Sequence, residues 1–163
     1  MVTGGDMNVD IEERKVGRML WRSYASIFIS ILGLADATYL TLAHYTSVVP
    51  LVCADTGIVN CAEVTSSAQS YVFGIPVAVL GLVYFVPMLV LSLPFAWKSA
   101  NHIFAWLRLA GVVTGIGFVA YLVYSELFVI GKICLYCTGV HILTFLLFVV
   151  VVTGWDDATS NWQ

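Results

Sequence analysis

The chain sets long apolar blocks between short polar breaks, the pattern of fully buried spans rather than of helices or strands with one wet face. The first block runs from Met19 to Tyr45, after a polar segment 1–18, and the second covers Phe73 to Leu93. From Ile103 to Val152 apolar residues continue almost without pause. A single helix of that length, about 50 residues, would reach roughly 75 Å, against a hydrocarbon core of about 30 Å. The stretch must therefore fold back. Gly131-Lys132 is the Gly-plus-charge step near its middle, and it divides the stretch into 103–130 and 133–152, with 153–163 as a tail.

Backbone groups in lipid must be satisfied within their own segment, so each block is predicted as a helix. The expected fold is a single domain, an all-α integral membrane protein. It is a four-transmembrane-helix bundle in which 46–72 forms an extracytoplasmic loop bearing a short helix. Pro76 falls in the first turn of the second helix, where a missing N–H costs little. Pro87 lies inside that helix and predicts a kink. The first block is longer than the apolar region of a signal peptide, and no convincing cleavage site follows it.

Composition agrees with a membrane setting. Of 163 residues, 60% are hydrophobic and 10% are charged, whereas soluble domains carry about 25% charge. The net charge of -3 says little about partners, and no basic cluster suits a nucleic acid. The few cations set orientation. Arg14, Lys15, Arg18 and Arg22 precede or open the first block, while the loop from Thr46 to Val72 has no Lys or Arg. Lys98 and Arg108 fall near the second connection and Lys132 in the third. The positive-inside rule then places both termini in the cytoplasm. The expected location is multi-pass in a membrane, with the loop and the third connection on the extracytoplasmic side.

That parity gathers all the thiols on one face. The four cysteines form two close pairs, Cys53 with Cys61 in the loop and Cys134 with Cys137 opening the last helix. Disulfides persist on the outer side of a membrane. Four thiols there suggest a disulfide-exchange relay. Two structural disulfides are the bland alternative, about even for Cys53/Cys61 alone, and a zinc or copper site using His141 is the other rival. A helix starting near Ile133 would put Cys134 and Cys137 in its first turn, where orphan N–H groups and the helix dipole favour a thiolate. Cys134, Cys137 and His141 then share one helix face. In the loop, Asn60 before Cys61-Ala62-Glu63 reads as a capping box, predicting a helix from Cys61 to about Gln69 and a second activated thiol. Cys53, beyond Pro50 in a segment containing Asp55 and Gly57, is expected to be the more exposed. His44 is expected at the interface and His102 in no special role. Asp36 and Glu126 are acids within spans, with structural and functional readings balanced. Tyr39, Tyr45, Tyr71, Tyr84, Tyr121, Tyr124 and Tyr136 are candidates for a ring-binding pocket, although most suit an interfacial belt.

These motifs resemble the vitamin K epoxide reductase family, its prokaryotic members more than its animal ones. The likeness spans roughly Trp21 to Val152. It rests on Cys53 and Cys61, on Ser66-Ser67, on Phe73-Gly74-Ile75-Pro76 opening the second helix, and on Cys134-Leu135-Tyr136-Cys137 opening the fourth. The DsbB-like quinone reductases place their Cys-x-x-Cys in the first external loop instead. The resemblance implies an enzyme, a quinone-dependent thiol-disulfide oxidoreductase that supports disulfide bond formation. Cys134 and Cys137 would be the active-site pair, with Cys137 nearest the quinone and Cys134 bridging transiently to Cys61. Cys53 would exchange with the reduced partner. Ser67 would help hold the loop over the site, and His141 and Ser70 would contact the quinone. That quinone is of the menaquinone, ubiquinone or vitamin K type. Many prokaryotic members carry a fused thioredoxin-like domain. With the chain ending at Gln163, the expected partner is a separate DsbA-like protein of thioredoxin fold, alongside membrane lipids. Vitamin K epoxide reduction proper and a non-enzymatic metal-binding membrane protein are the alternatives.

Overall fold

Helix α1, Gly4–Tyr45, carries a seam of small residues that governs the packing. The computed structural model describes residues 4–46, 50–53, 56–99 and 101–159. Asp55, expected beside Cys53, lies outside them, as do residues 160–163 of the C-terminal tail. Ser23, Ser26, Ser30, Gly33 and Ala37 repeat at alternating steps of three and four, and the serines and Ala37 are buried. Small side chains let helix backbones approach closely where no hydrophobic effect drives association. Against this seam lies α3, Val77–Ser92. A Cβ on Gly33 would stand 2.3 Å from the Phe85 ring, and one on Gly81 would stand 3.2 Å from Ala37. Ser23 Oγ donates to the Ser92 carbonyl at 2.7 Å. The polar segment 1–18, expected as a tail, is helical from Gly4 and continuous with α1.

Hydropathy misplaces the start of the second block and meets its end at Leu93, the C-cap of α3. Between Cys61 and α3 lie a short helix α2, Cys61–Ser66, a 3-10 turn at Ala68–Ser70, and a hairpin of β1, Tyr71–Val72, and β2, Ile75–Pro76. Tyr71 pairs with Pro76 and Val72 with Ile75. The hairpin tip, Phe73 and Gly74, has φ of 52° and 78°. Two successive positive φ values suit a tight turn whose twist matches its strands. Phe73-Gly74-Ile75-Pro76 therefore forms a hairpin rather than opening the helix, and Pro76 caps α3. At the other end Leu93 is extended (ψ 148°), because it precedes Pro94 and the helical region is disfavoured there. Helix α4, Pro94–Lys98, follows. At 16 residues, α3 is about 24 Å long, and it passes through Pro87.

Helix α5, His102–Tyr124, starts at Asn101, whose Oδ1 accepts from Ile103 N at 3.0 Å. It runs into a π turn, Ser125–Ile130, that ends at Gly131 with φ 71°. The predicted break at Gly131-Lys132 is thus a left-handed cap. Helix α6 is Leu135–Thr153, and α7 is Trp155–Thr159, within the segment read as tail. Among the described residues three helices are long and apolar enough to cross a membrane: Val9–Tyr45, His102–Ile130 and Leu135–Thr153. Val77–Ser92 is apolar but shorter. The core lies between them, around Ile29, Met88, Val112, Leu147 and Val151. Phe28, Val83, Val113 and Phe145 remain exposed, as befits side chains facing lipid.

The end of the bundle away from the cysteines is fastened by charge. The Arg108 guanidinium, only 2% exposed, lies 3.9 Å over the Trp97 ring and donates to the Leu91 carbonyl at 3.2 Å. Arg22 and Arg18 both pair with Asp157, tying α7 to α1.

Candidate functional site

The site is assembled by one short backbone pairing. After Gly131 the chain runs extended beside residues 58–60. Val59 and Ile133 form a parallel bridge. Ile133 N donates to the Ile58 carbonyl at 2.9 Å, and Asn60 N donates to the Ile133 carbonyl at 3.1 Å. Lys132 Nζ donates to the Gly57 carbonyl and lies 4.0 Å from Glu63. From this seam both strands turn directly into helices, α2 at Cys61 and α6 just after Cys134. Asn60 caps α2 as expected, with Oδ1 accepting from Glu63 N at 2.9 Å. The capping box is only half made, because the Asn60 N–H is committed to Ile133.

The two cysteine pairs therefore meet. Cys61, Cys134 and Val64 form one buried cluster, with Leu51, Cys53, Ile130, Tyr136 and Cys137 packed around it. Cys53 and Cys61 are joined by a disulfide, with Cα atoms 5.9 Å apart. Cys61 is thus bonded rather than a free activated thiol, and Cys53 is the more exposed partner. Cys134 and Cys137 are free thiols. Cys134 is the N-cap of α6 rather than a residue of its first turn, and its sulfur accepts from Cys137 N at 3.5 Å. The Cys137 thiol, which donates to Cys134, holds the Cys134 thiol below its ordinary range. Burial opposes that shift, and the N–H groups of Cys137 and Tyr136 assist it.

Two tyrosines hold the Cys53 segment against the helix ends. Tyr39 Oη donates to the Pro50 carbonyl at 2.8 Å and accepts from Val52 N at 3.3 Å. Tyr136 Oη donates to the Val52 carbonyl at 2.8 Å, and the two rings lie 4.9 Å apart. His44, expected at the interface, is hydrogen-bonded to Tyr71 Oη at 3.0 Å. These side-chain ties were not legible in the sequence, which marked the tyrosines only as candidates for a pocket or a belt.

Three cavities run from Cys137 along α6, each lined in part by Val77 and Leu122. The outermost, about 60 Å³, is bordered by Cys137, Glu126, Ser67, Ser70 and His44. Ser67 Oγ donates to the Val64 carbonyl and Ser70 Oγ to the Ser67 carbonyl, each at 2.7 Å. A small cavity of about 40 Å³ joins Cys137 to His141. Beyond it is a space of about 250 Å³ with apolar walls, bordered by His141, Tyr84 and Thr144. His141 Nε2 and Tyr84 Oη are both buried and lack a hydrogen-bond partner. Unpaired buried polar atoms are rare, and two beside one cavity suit a ligand with an apolar body and polar oxygens. The structure thus places Ser67 and Ser70 at the cavity mouth and His141 one turn deeper. It adds Glu126 to the mouth, a residue whose role the sequence left open. Among the described residues no three His, Cys, Asp or Glu side chains are grouped to hold a metal ion.

A family model described as Vitamin K epoxide reductase family matches residues 24–152, most of the 163-residue chain. With its apolar helices and its four clustered cysteines, the chain belongs to the vitamin K epoxide reductase family and is a membrane oxidoreductase.

Proposed function

We propose that the protein is a thiol:quinone oxidoreductase that supports disulfide bond formation. In this reading α1, α3, α5 with its π turn, and α6 are four transmembrane spans. Both termini are cytoplasmic, and the cysteines face the extracytoplasmic side of a prokaryotic plasma membrane. The observation that carries the reading is the shared buried cluster of Cys61 and Cys134 at the head of the cavities that begin at Cys137.

Electrons enter at Cys53, the more exposed sulfur. A thiolate of a thioredoxin-fold partner attacks Cys53, and Cys61 leaves as a thiolate. The partner's second thiol resolves the mixed disulfide and frees Cys53. With Cys134–Cys137 oxidised, the Cys61 thiolate attacks Cys134, and Cys137 leaves as a thiolate and takes up a proton. Cys53 then attacks Cys61, re-forming the loop disulfide and expelling Cys134. A low leaving-group pKa speeds that last step, and the Cys137 thiol supplies it at Cys134.

A quinone in the bilayer is a two-electron, two-proton acceptor, and the cavities fit one: their walls are apolar and their unpaired polar atoms suit its oxygens. Ser67 and Ser70 at the mouth and His141 deeper would hold it. The test is reduction of a soluble quinone analogue by purified protein supplied with a reduced thioredoxin-fold protein, with vitamin K epoxide offered in parallel. Each single Cys→Ser variant is expected to lose partner-driven turnover. Wild-type turnover in Cys137→Ser would overturn the reading, and turnover of the epoxide alone would reassign the substrate.

A further inference from the structure

Glu126 is an acid inside the span His102–Ile130, and it is only 6% exposed. A carboxylate within a membrane span is costly and is kept where it has chemistry to do. Its backbone is unusual as well. Glu126 sits in the π turn Ser125–Ile130, whose wider winding recurs in helices at functional sites. The turn is anchored at Glu126 itself, whose carbonyl accepts from both Gly131 N and Lys132 N. The side chain borders the outermost cavity together with Cys137, Ser67 and Ser70, and its carboxyl is a hydrogen-bonding neighbour of the Cys137 thiol.

The thiol pair needs such a group. Cys134 Sγ accepts from the Cys137 N–H at 3.5 Å and from the Cys137 thiol, so Cys137 is the donor of the pair. Closing the disulfide requires the Cys137 proton to leave. Lys132 is engaged by Gly57 and Glu63, and His44 is engaged by Tyr71. Asp36 lies against α6 at Gly139, where a Cβ would meet its Oδ2 at 3.1 Å. Glu126 is the carboxyl that meets the thiol itself.

We propose that Glu126 is a catalytic residue, the base that takes the Cys137 proton as the Cys134–Cys137 disulfide closes. This rests on the reading of that pair as the electron donor to a quinone. The step breaks the Cys137 S–H bond, forms one S–S bond, moves the proton to the Glu126 carboxylate and releases two electrons to the acceptor. The other proton leaves from Cys134, so the dithiol yields two electrons and two protons in all.

The experiment separates proton removal from quinone chemistry. Purified protein with the loop disulfide intact is oxidised by diamide, a soluble two-electron thiol oxidant, and closure of Cys134–Cys137 is followed by mass spectrometry across pH. Glu126→Gln is expected to slow closure about tenfold at neutral pH and to recover at alkaline pH, where solvent takes the proton. Glu126→Asp is expected to restore part of the rate. In the quinone assay Glu126→Gln is expected to lower kcat about 100-fold with KM little changed. Infrared difference spectra of the wild-type protein between its dithiol and disulfide states provide a readout that needs no variant. A carboxyl band that gains a proton on closure, and is absent from Glu126→Gln, supports the proposal. Closure by Glu126→Gln at the wild-type rate and pH profile overturns it while leaving the relay intact. Failure of the wild-type protein to reduce any quinone overturns the relay, and the diamide profile still decides the role of Glu126.

Discussion

Val59 and Ile133 pair as a single parallel bridge, and that pairing decides where two helices begin. It sets Cys61 and Cys134 at neighbouring helix starts, inside one buried cluster. The loop and the membrane helices are thereby registered to each other by backbone, whatever the nearby side chains do.

Replacing Ile133 with Pro tests that registration. It removes the N–H that bonds the Ile58 carbonyl at 2.9 Å. The direct loss is about 1 kcal/mol, so the helices should remain folded by circular dichroism. Transfer between the pairs should fall, read as slower reduction of Cys134–Cys137 by a reduced partner. An unchanged rate would show that the bridge is dispensable.

Cys137→Ser should accumulate a Cys61–Cys134 disulfide under mild oxidation, because the sulfur that would resolve it from the helix side is missing. Peptide mapping under non-reducing conditions identifies the bond. Finding only Cys53–Cys61, with Cys134 left free, would mark the loop bridge as structural.

The Cys134 thiol, held below its ordinary value of 9.0 by the Cys137 thiol, should ionise at lower pH than a free cysteine. The linkage has a definite sign. A lowered folded pKa adds stability that is fully present above the ordinary value and is lost as pH falls through the folded one. Thiolate absorbance in the ultraviolet should therefore persist below pH 9.0 in the reduced protein and shift upward in Cys137→Ala. A titration identical in both would remove Cys137 as the cause.

His141→Ala removes a buried imidazole whose Nε2 has no partner. Losing a ligand hydrogen bond there should raise the quinone KM about tenfold. Partner-driven reduction of Cys134–Cys137 should be little changed, and thermal stability should move by only a few degrees. Equal losses in both assays would make His141 a packing residue.

Much of the fold is written in local chemistry. The apolar runs mark the helices, Gly131 marks the reversal, and Asn60 with Glu63 marks the start of α2. The Cys spacing, Ser66-Ser67 and Phe73-Gly74-Ile75-Pro76 carry the family. The same hydropathy misled at residues 73–76, which complete a hairpin rather than open a helix. The cue was Gly74, whose freedom at positive φ a hydropathy profile does not register. Leu93 before Pro94 was a legible break, and the helix does end there. Arg108 read as a boundary charge, yet it is buried over Trp97.

The sequence alone determined which segments leave water and which thiols sit at helix starts, because transfer free energy and capping depend on residues close in the chain. Only the tertiary structure decided that Cys61 meets Cys134, that Tyr39 and Tyr136 hold the Cys53 segment, and that Glu126 faces Cys137. Those pairings join residues far apart in the chain. They arise from hydrogen bonds and close packing that exist only once the helices have docked.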